Sequence, residues 1–362
     1  MNDKLSSLRE RIDKLDEQIQ TLINERGALA QQVAEVKRAA IPSASEPDCY
    51  RPEREAEVLR KVAARNKGPV SSEELVRLFR EIMSACRALE QPLKVAFLGP
   101  DGTFTQAAAL KHFGHSVTTV PLATIDQVFH EVEAGAAAYG VVPVENSTEG
   151  VVSHTLDMFI NSPLQICGEV ELRIHHHLLS ITDKLAEITR IYSHQQSLAQ
   201  CRTWLSAHMP NVECVAVTSN AEAARRATQE PGAAAIAGQT AAEIYQLKSL
   251  AADIEDQVNN TTRFLVVSRQ TTPPSGADKT SLLITTRNQP GALYRLLEPF
   301  GRNGISLTRI ESRPSRQGTW DYVFFMDVDG HVQDPALAAV LRQLEGEASL
   351  VKILGSYPKA VL

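Results

Sequence analysis

The N-terminal segment carries apolar residues at heptad spacing. One seam position holds Leu8, Leu15, Leu22, Leu29 and Val36, and the other holds Leu5, Ile12, Ile19 and Val33. Arg26 falls in the second series, where the pattern requires an apolar residue. A helix over 3–39 would be roughly 55 Å long, which exceeds the diameter of a compact unit of about 90 residues. Because shorter helices of the same chain cannot cover this seam, we predict a helix-swapped homodimer or a higher oligomer.

Two shorter helices follow the long one, and local signals mark their boundaries. The second begins at Pro52, a residue favoured in the first helical turn, and ends near Gly68. The third begins at Ser71, which has capping-box spacing to Glu74. Residues 1–91 are therefore predicted to form an all-α domain.

The pattern changes after residue 93. Short apolar strands alternate with helices from 94 to 270, which favours an α/β domain. The segment TTPPSGADK, 271–279, has the composition of a linker. Residues 280–362 have the order β-α-β-β-α-β, which indicates an α+β ferredoxin-like domain.

Composition and charge narrow the class of protein. The chain has 362 residues, of which 43% are hydrophobic and 22% charged, as in soluble globular proteins. Its net charge of −6 argues against a nucleic-acid partner, and no apolar run is long enough for a membrane span. The five cysteines form no CxxC pair, which indicates a reduced, cytoplasmic protein.

Charged residues recur on the apolar faces of the N-terminal helices. Lys37 lies on the same face as Arg26, about 16 Å along the helix axis. Glu55 and Glu90 align with apolar residues of the second and third helices. Unpaired buried charges are costly, so these residues favour a buried polar site. Arg9 lies about 25 Å from Arg26 and could share a small ligand with it only across a dimer. On the heptad alone, a register-setting polar residue is the alternative for Arg26.

Residues 1–91 resemble the all-helical chorismate mutases through LRERIDKLDEQIQTLINERGALAQQVAEVK and YRPEREAEVLRKV. The resemblance implies that Arg26 and the partner's Arg9 bind the two carboxylates of chorismate. It implies that Lys37 contacts the ether oxygen and a carboxylate, and that Glu55 contacts the substrate hydroxyl. The rearrangement to prephenate needs only a held conformer and stabilised charge.

Three further positions belong to this implied site. Arg51 stands where some chorismate mutases are acidic, and Glu90 stands where many carry glutamine facing the ether oxygen. Cys86 is placed among the substrate contacts. The resemblance implies neither a cofactor nor a metal.

Polar residues adjoin several strands of the α/β segment. Carboxyl ends of strands are the usual ligand sites of such folds. The candidates are Thr103 in the turn GPDGTFTQ, Glu145, Asn146, Ser147 and Thr148 after one strand, Ser193 and His194 after another, and Asn260, Thr262 and Arg263 in NNTTRFLVV. Arg263 is available for a carboxylate in this interpretation. The run His175–His177 predicts no metal site, since neighbours along a strand point to opposite faces.

Together these motifs resemble prephenate dehydratases over 94–270. The resemblance implies two α/β lobes like those of a periplasmic binding protein, with the site in the cleft. The N-x-T-R-F pattern implies that Thr262 is the essential threonine. It would hydrogen-bond or donate a proton to the departing hydroxyl as prephenate loses carbon dioxide and hydroxide to give phenylpyruvate.

The last segment resembles an ACT domain through NQPGALYRLL and ESRP. The resemblance implies inhibition by phenylalanine as the end product. The implied effector contacts are Asn288, Gly291, Ala292, Leu293, Glu311, Ser312, Arg313 and Pro314. A purely structural dimerisation module is the alternative, because fold does not fix function.

The three resemblances imply a bifunctional chorismate mutase–prephenate dehydratase regulated by phenylalanine. A dehydratase with an inactive mutase segment, acting on prephenate or arogenate, is one alternative. A non-catalytic ligand sensor is another, from a different class of protein. The combination of Arg9, Arg26, Lys37, Glu55 and Thr262 argues against the sensor.

Overall fold

The computed structural model describes residues 2–40, 50–287, 289–314 and 322–361 of the chain. Its N-terminal helices are α1 (Asn2–Ala40), α2 (Pro52–Arg65) and α3 (Ser72–Ala88). As predicted, Ser71 caps α3, because its hydroxyl accepts the Glu74 N–H at 3.1 Å. Leu59, Val76 and Met83 form a small core between α2 and α3.

Helix α1 leaves its apolar seam uncovered within the described chain. The large seam residues are all exposed, from 45% at Leu8 to 70% at Val36. The helix touches α3 near its middle, where a Cβ added at Gly27 would lie 3.3 Å from Leu89. The predicted long helix is therefore confirmed, and its apolar face has no intrachain partner in the residues described.

The first lobe of the α/β region is built on a sheet of order β2-β1-β3-β11-β5, in which β11 is Thr261–Ser268. Its elements are β1 (Lys94–Leu98), α4 (Phe104–Phe113), β2 (Thr118–Leu122), α5 (Ile125–Glu133), β3 (Tyr139–Asn146), β4 (Gly150–Val151), α6 (Ser153–Asn161) and β5 (Gln165–Arg173). The first three long strands are parallel, whereas β11, which arrives from the second lobe, runs antiparallel to both β3 and β5.

The second lobe has a sheet of order β10-β6-β9-β7-β8. Its elements are β6 (His177–Ser180), β7 (Arg190–His194), α7 (Gln195–Gln200), α8 (Arg202–His208), β8 (Glu213–Val217), α9 (Asn220–Ala227), β9 (Ala233–Ala237), α10 (Gln239–Tyr245) and β10 (Lys248–Ala251). The chain returns to the first lobe as β11 (Thr261–Ser268). Segments 174–176 and 252–260 are thus the two crossings between lobes.

The C-terminal region has the predicted ferredoxin-like order. It comprises β12 (Asp278–Thr286), α11 (Ala292–Arg302), β13 (Leu307–Pro314), β14 (Tyr322–Asp329), α12 (Pro335–Glu347) and β15 (Leu350–Pro358). Its sheet order is β13-β14-β12-β15. One face, with Phe324 and Met326, packs on α11 and α12, while Val323 and Phe325 on the other face join the core of the first lobe. The two sheets therefore lie back to back.

The helical region also packs on the first lobe. The Arg87 guanidinium donates to the Phe113 carbonyl at 2.7 Å and stacks 4.8 Å from the Tyr50 ring centre. Tyr50 in turn contacts the rings of Phe113 and Tyr139. In the part of the chain that the structure describes, the helices are too short or too polar to cross a membrane.

Candidate active sites and effector site

The structure brings four of the predicted polar residues together between the lobes. Thr262 on β11 stands opposite Asn146 on β3, and the Asn146 amide donates to the Thr262 hydroxyl at 2.7 Å. The same amide donates to Asn260 at 2.8 Å, and the Thr148 hydroxyl donates to Asn260 at 2.9 Å. Thr262 is 9% exposed and Asn260 is 3% exposed, whereas Asn146 is half-buried and Thr148 is exposed, so the cluster is buried on one side and open on the other.

Asn146 has a fixed orientation. Its carbonyl oxygen accepts the backbone N–H groups of Thr148 and Glu149, both at 3.0 Å. The NH2 group must therefore point towards Thr262 and Asn260. Because the Thr262 oxygen accepts from Asn146, its single O–H is left to be donated to a ligand.

Gln200 of the second lobe was not predicted from the sequence. Its Oε1 accepts from Asn260 at 3.1 Å and lies 2.9 Å from Nε2 of His176. Its amide nitrogen lies 3.4 Å from the Glu149 carboxylate of the first lobe. It falls in the same sequence block as Ser193 and His194, but at the far end of α7, and that block was the available signal.

Three predicted residues make contacts that fix local structure. The Ser193 hydroxyl is fully buried and lies 2.9 Å from the Ile236 carbonyl, within the second lobe. His194 caps α7 by accepting the Gln196 N–H, and Thr103 caps α4 in the same way. The Ser147 hydroxyl lies beside the cluster and accepts the Thr261 N–H at 3.0 Å.

Glu145 and Arg263 do not join Thr262. Successive residues on a strand point to opposite faces, so these neighbours of Asn146 and Thr262 face the ACT-like sheet. Arg263 pairs with Glu169 at 2.9 Å and with Asp327 at 2.6 Å. Glu145 pairs with Arg309 at 2.8 Å. The expectation that Arg263 is available for a substrate carboxylate is not met, because its guanidinium already has two carboxylate partners.

A histidine and two carboxylates join the crossings between the lobes. Nδ1 of His175 lies 2.9 Å from Glu255 and 3.1 Å from Asp253. The ligand atoms of the three residues lie within 4.8 Å of one another, close enough to share a metal ion. Strand alternation did not predict this group, since two of its members come from the other crossing.

The predicted mutase residues meet only in part within one chain. Glu55 is buried and pairs with Arg87 at 2.9 Å. Burial raises the pKa of Glu55, while the charges of Arg87, Arg80 and Arg26 oppose that rise. Arg26 is thus within electrostatic reach of Glu55, and buried Cys86 lies beside Gly27.

The remaining mutase residues lie apart. Lys37 and Arg51 line one cavity of about 330 Å³, while Glu55 lines another of about 420 Å³. Glu90 is half-buried just beyond the end of α3. Arg9 is exposed near the other end of α1.

The two sequence segments predicted to contact the effector meet at one cavity. Gly291, Ala292, Leu293 and Ser312 line one cavity of about 320 Å³, together with Tyr322 and Phe324. Gly291 has φ 74°, a conformation that favours glycine. Pro314 lies on the Ser312 face of β13, whereas Glu311 and Arg313 lie on the opposite face, where Arg313 reaches Asp157 at 3.3 Å. Asn288 lies outside the described residues.

Three protein-family models match successive parts of the chain. The family model for chorismate mutase type II matches residues 8–91, that for prephenate dehydratase matches 95–272, and that for the ACT domain matches 280–346. A bifunctional chorismate mutase/prephenate dehydratase of Stutzerimonas stutzeri is 63% identical over 361 residues, covering 99% of each chain.

Two solved structures match about three quarters of this chain. One is described as a novel type of quorum-quenching acylase, with 33% identity, a TM-score of 0.69 and coverage of 74% of this chain and 98% of that one. The other is a prephenate dehydratase of Arthrobacter aurescens in complex with L-Phe, with 36% identity, a TM-score of 0.68 and coverage of 75% and 93%. With these matches, the predicted family and fold are confirmed: the chain belongs to the bifunctional chorismate mutase/prephenate dehydratases and carries an ACT domain.

Proposed function

We propose that the two reactions of this family take place at separate sites of this chain. The mutase is assigned to 1–91, the dehydratase to 94–270 and phenylalanine sensing to 280–362. Similarity over the whole chain to a bifunctional enzyme favours these reactions over the acylase chemistry named for one similar structure. A cytoplasmic location fits the free thiols of Cys86, Cys201 and Cys214 among the described residues.

The hydrogen bond from Asn146 to Thr262 carries the dehydratase assignment. In the reaction, the bond from the ring to its carboxylate breaks and carbon dioxide leaves, while the electron pair enters the ring. The C–O bond opposite breaks, and the departing hydroxide takes up a proton from solvent to become water. Thr262, with its O–H directed away from Asn146, donates a hydrogen bond to the departing oxygen. Its hydroxyl stabilises developing charge and need not ionise.

The uncovered seam of α1 carries the mutase assignment. A second copy of the same helix has the matching heptad, and large apolar residues along α1 would be buried against it. Such a pairing would bring the partner's Arg9 to Arg26, Lys37 and Glu55. Two cations from different chains would then hold the carboxylates of chorismate, and Lys37 would stabilise charge on the breaking ether bond. The proposed mutase site is complete only in the dimer.

The cavity beside Gly291 is the proposed phenylalanine site. Leu293, Tyr322 and Phe324 give it apolar and aromatic walls, which suit a phenyl ring. Helix α11 begins at Ala292 on the same cavity, and the N–H groups of a first helical turn suit a carboxylate. The similar structure from Arthrobacter aurescens, in complex with L-Phe, supports this assignment.

One assay tests the proposal. Purified protein is given chorismate, and prephenate and phenylpyruvate are followed separately, with and without phenylalanine. A parallel reaction receives arogenate. The proposal predicts that both products form from chorismate, that phenylalanine suppresses phenylpyruvate, and that arogenate is the poorer substrate. Consumption of prephenate without consumption of chorismate would instead indicate an inactive mutase.

A further inference from the structure

The catalytic strands have a charged rear face. In the register of β3 and β11, Asn146 stands opposite Thr262, and Glu145 stands opposite Arg263. The first pair faces the cleft, and the second pair faces the ACT sheet. Each proposed catalytic residue is therefore bonded through the backbone to a charged residue at the junction between the two sheets.

These charges continue into the ACT sheet as a row of alternating sign. We call it the junction row, and it comprises Glu145, Arg309, Asp327, Arg263, Glu169 and Lys279. Arg309 pairs with Glu145 at 2.8 Å and stands opposite Asp327 in the register of β13 and β14. Arg263 lies 2.6 Å from Asp327 and also pairs with Glu169. The Glu169 carboxylate lies 2.7 Å from the Lys279 ammonium. The row therefore contains three cations and three carboxylates, and their formal charges sum to zero.

The same ACT strands line the proposed phenylalanine cavity on their other face. On β13, Arg309 faces the first lobe, whereas Ser312 faces the cavity. On β14, Asp327 faces the lobe, whereas Tyr322 and Phe324 face the cavity. A shift of either strand on filling the cavity would therefore move a member of the junction row.

The guanidinium of Arg309 has a donor nitrogen that is not used by the described residues. Its Nη2 is buried and has no hydrogen-bond partner among the described residues. The Nε of the same guanidinium pairs with Glu145 at 2.8 Å, and Arg309 stands opposite Asp327 in the strand register. An unsatisfied buried donor is costly, so a movement that supplies an acceptor to Nη2 would be favoured, and a movable contact of this kind is what coupling between distant sites requires.

We infer that Arg309 positions Asn146 and Thr262 through Glu145, and that the junction row carries the phenylalanine signal from the ACT cavity to the dehydratase cleft. This inference rests on the proposed phenylalanine site. It makes Arg309 a positioning residue, since it touches neither substrate nor effector cavity.

Arg309 is the member of the row that can be replaced with least damage. Its partner Glu145 has a side chain 39% exposed, so water can solvate it once the cation is gone. Arg263 is 12% exposed between two carboxylates that are less exposed still, and its removal would leave buried charges unpaired. Arg309→Gln is therefore the test variant, and Arg309→Lys is the conservative variant that keeps the charge.

Lys352 supplies a matched control. Its ammonium also bridges the ACT sheet to the first lobe, but it donates to the carbonyls of Phe159 and Ser162 at the end of α6, at 2.9 and 2.7 Å. Lys352→Gln removes one interdomain contact without touching the catalytic strands. Mutase turnover of every variant reports that the protein is folded.

The readouts are phenylpyruvate formation from prephenate over a phenylalanine series and phenylalanine binding by calorimetry. We expect Arg309→Gln to raise the half-inhibitory phenylalanine concentration at least about fivefold, the lower end of typical allosteric coupling. Phenylalanine binding should change far less, and Arg309→Lys should recover most of the inhibition. Lys352→Gln should be inhibited like the parent protein.

Two results would overturn the inference. Equal inhibition of the parent protein and Arg309→Gln would remove Arg309 from the route. Equal loss of inhibition in Lys352→Gln would show that any loosened junction has the same effect. A parent protein that neither binds nor responds to phenylalanine would instead overturn the proposed effector site, together with the route that depends on it.

Discussion

Thr262 depends on Asn146 for the direction of its proton. Two backbone N–H groups hold the Asn146 carbonyl, so its NH2 group is left to face the threonine. An aspartate at this position has the same shape but no donor. It would accept a hydrogen bond from the Thr262 hydroxyl, which would no longer be directed at the substrate. It would also place a negative charge beside the departing hydroxide.

We therefore expect Asn146→Asp to lower dehydratase kcat by about 10²–10³-fold, the range seen when one donor to a developing anion is lost. Chorismate consumption should be unchanged in the same preparation. The measurement is phenylpyruvate formation from supplied prephenate. Asn161→Asp, an exposed position at the end of α6, introduces the same charge elsewhere and should be neutral. Similar turnover in the two variants would contradict the role of Asn146.

His112 makes a second prediction at this scale. Burial lowers its pKa from 6.5 to about 3, and the charges of Arg80 and Arg87 add to the effect. The ring stays neutral in the fold, 2.9 Å from the Tyr50 hydroxyl. Between these two pKa values the unfolded chain binds a proton that the folded chain does not. The folded state therefore has its full stability above pH 6.5, and its free energy of unfolding decreases as the pH falls below that value.

Between pH 6.5 and pH 5, the free energy of unfolding should fall by about 2 kcal/mol, because each of the 1.5 pH units contributes about 1.36 kcal/mol. Denaturant midpoints at pH 7 and pH 5 measure it. His112→Gln should be less stable at pH 7 but should lose less between the two pH values. His208→Gln at an exposed site should keep the parent's pH dependence. An unchanged pH dependence in His112→Gln would contradict a neutral buried ring.

At the scale of elements, the turn before α11 tests the effector site. Gly291 has φ 74°, and valine there would strain the backbone at the mouth of the cavity. Gly291→Val should weaken inhibition by phenylalanine severalfold and leave uninhibited dehydratase turnover mostly intact. Gly304 has φ 66° in open space on the same domain. Gly304→Val carries the same strain away from the cavity, so loss of inhibition in both variants would point to strain alone.

Elements were predictable where local chemistry marks them. The capping box at Ser71, the heptad of α1 and the β-α-β-β-α-β order each rest on spacing within one segment, and the structure has all three. The sequence did not indicate that the side chains of Glu145 and Arg263 point to the face of the sheet that packs on the ACT domain. That orientation depends on which sheet packs on the rear of β3 and β11, and that contact joins residues more than 60 positions apart in sequence.

Gln200 escaped prediction for a related reason. Its amide meets Asn260 and Glu149 only because the lobes close across two crossings. The sequence indicates polar residues at strand ends but does not indicate which of them meet across a cleft. The mutase residues show the same limit across chains, since Lys37 and Glu55 line different cavities when one chain stands alone.

For the whole molecule, the claim to test is that one mutase site uses two chains. Arg9→Ala and Arg26→Ala should each abolish chorismate consumption. In a heterodimer of the two variants, one site would combine the intact Arg26 of one chain with the partner's Arg9. Random mixing gives half heterodimers with one intact site of two, so activity should return to about one quarter of the parent value.

The measurement is mutase turnover after the two variants are unfolded together and refolded, with each variant refolded alone as the control. Recovery in the mixture alone supports the swapped dimer. Activity that stays absent in a mixture shown to contain dimers would mean that Arg9 and Arg26 do not share a site between chains.

The central claim is that two reactions occupy two sites of one chain. Its most direct test compares Thr262→Ala with Arg26→Ala, each given chorismate and, separately, prephenate. Thr262→Ala should consume chorismate and accumulate prephenate without forming phenylpyruvate. Arg26→Ala should leave chorismate untouched and still convert supplied prephenate to phenylpyruvate. Loss of both activities in either folded variant would contradict the account.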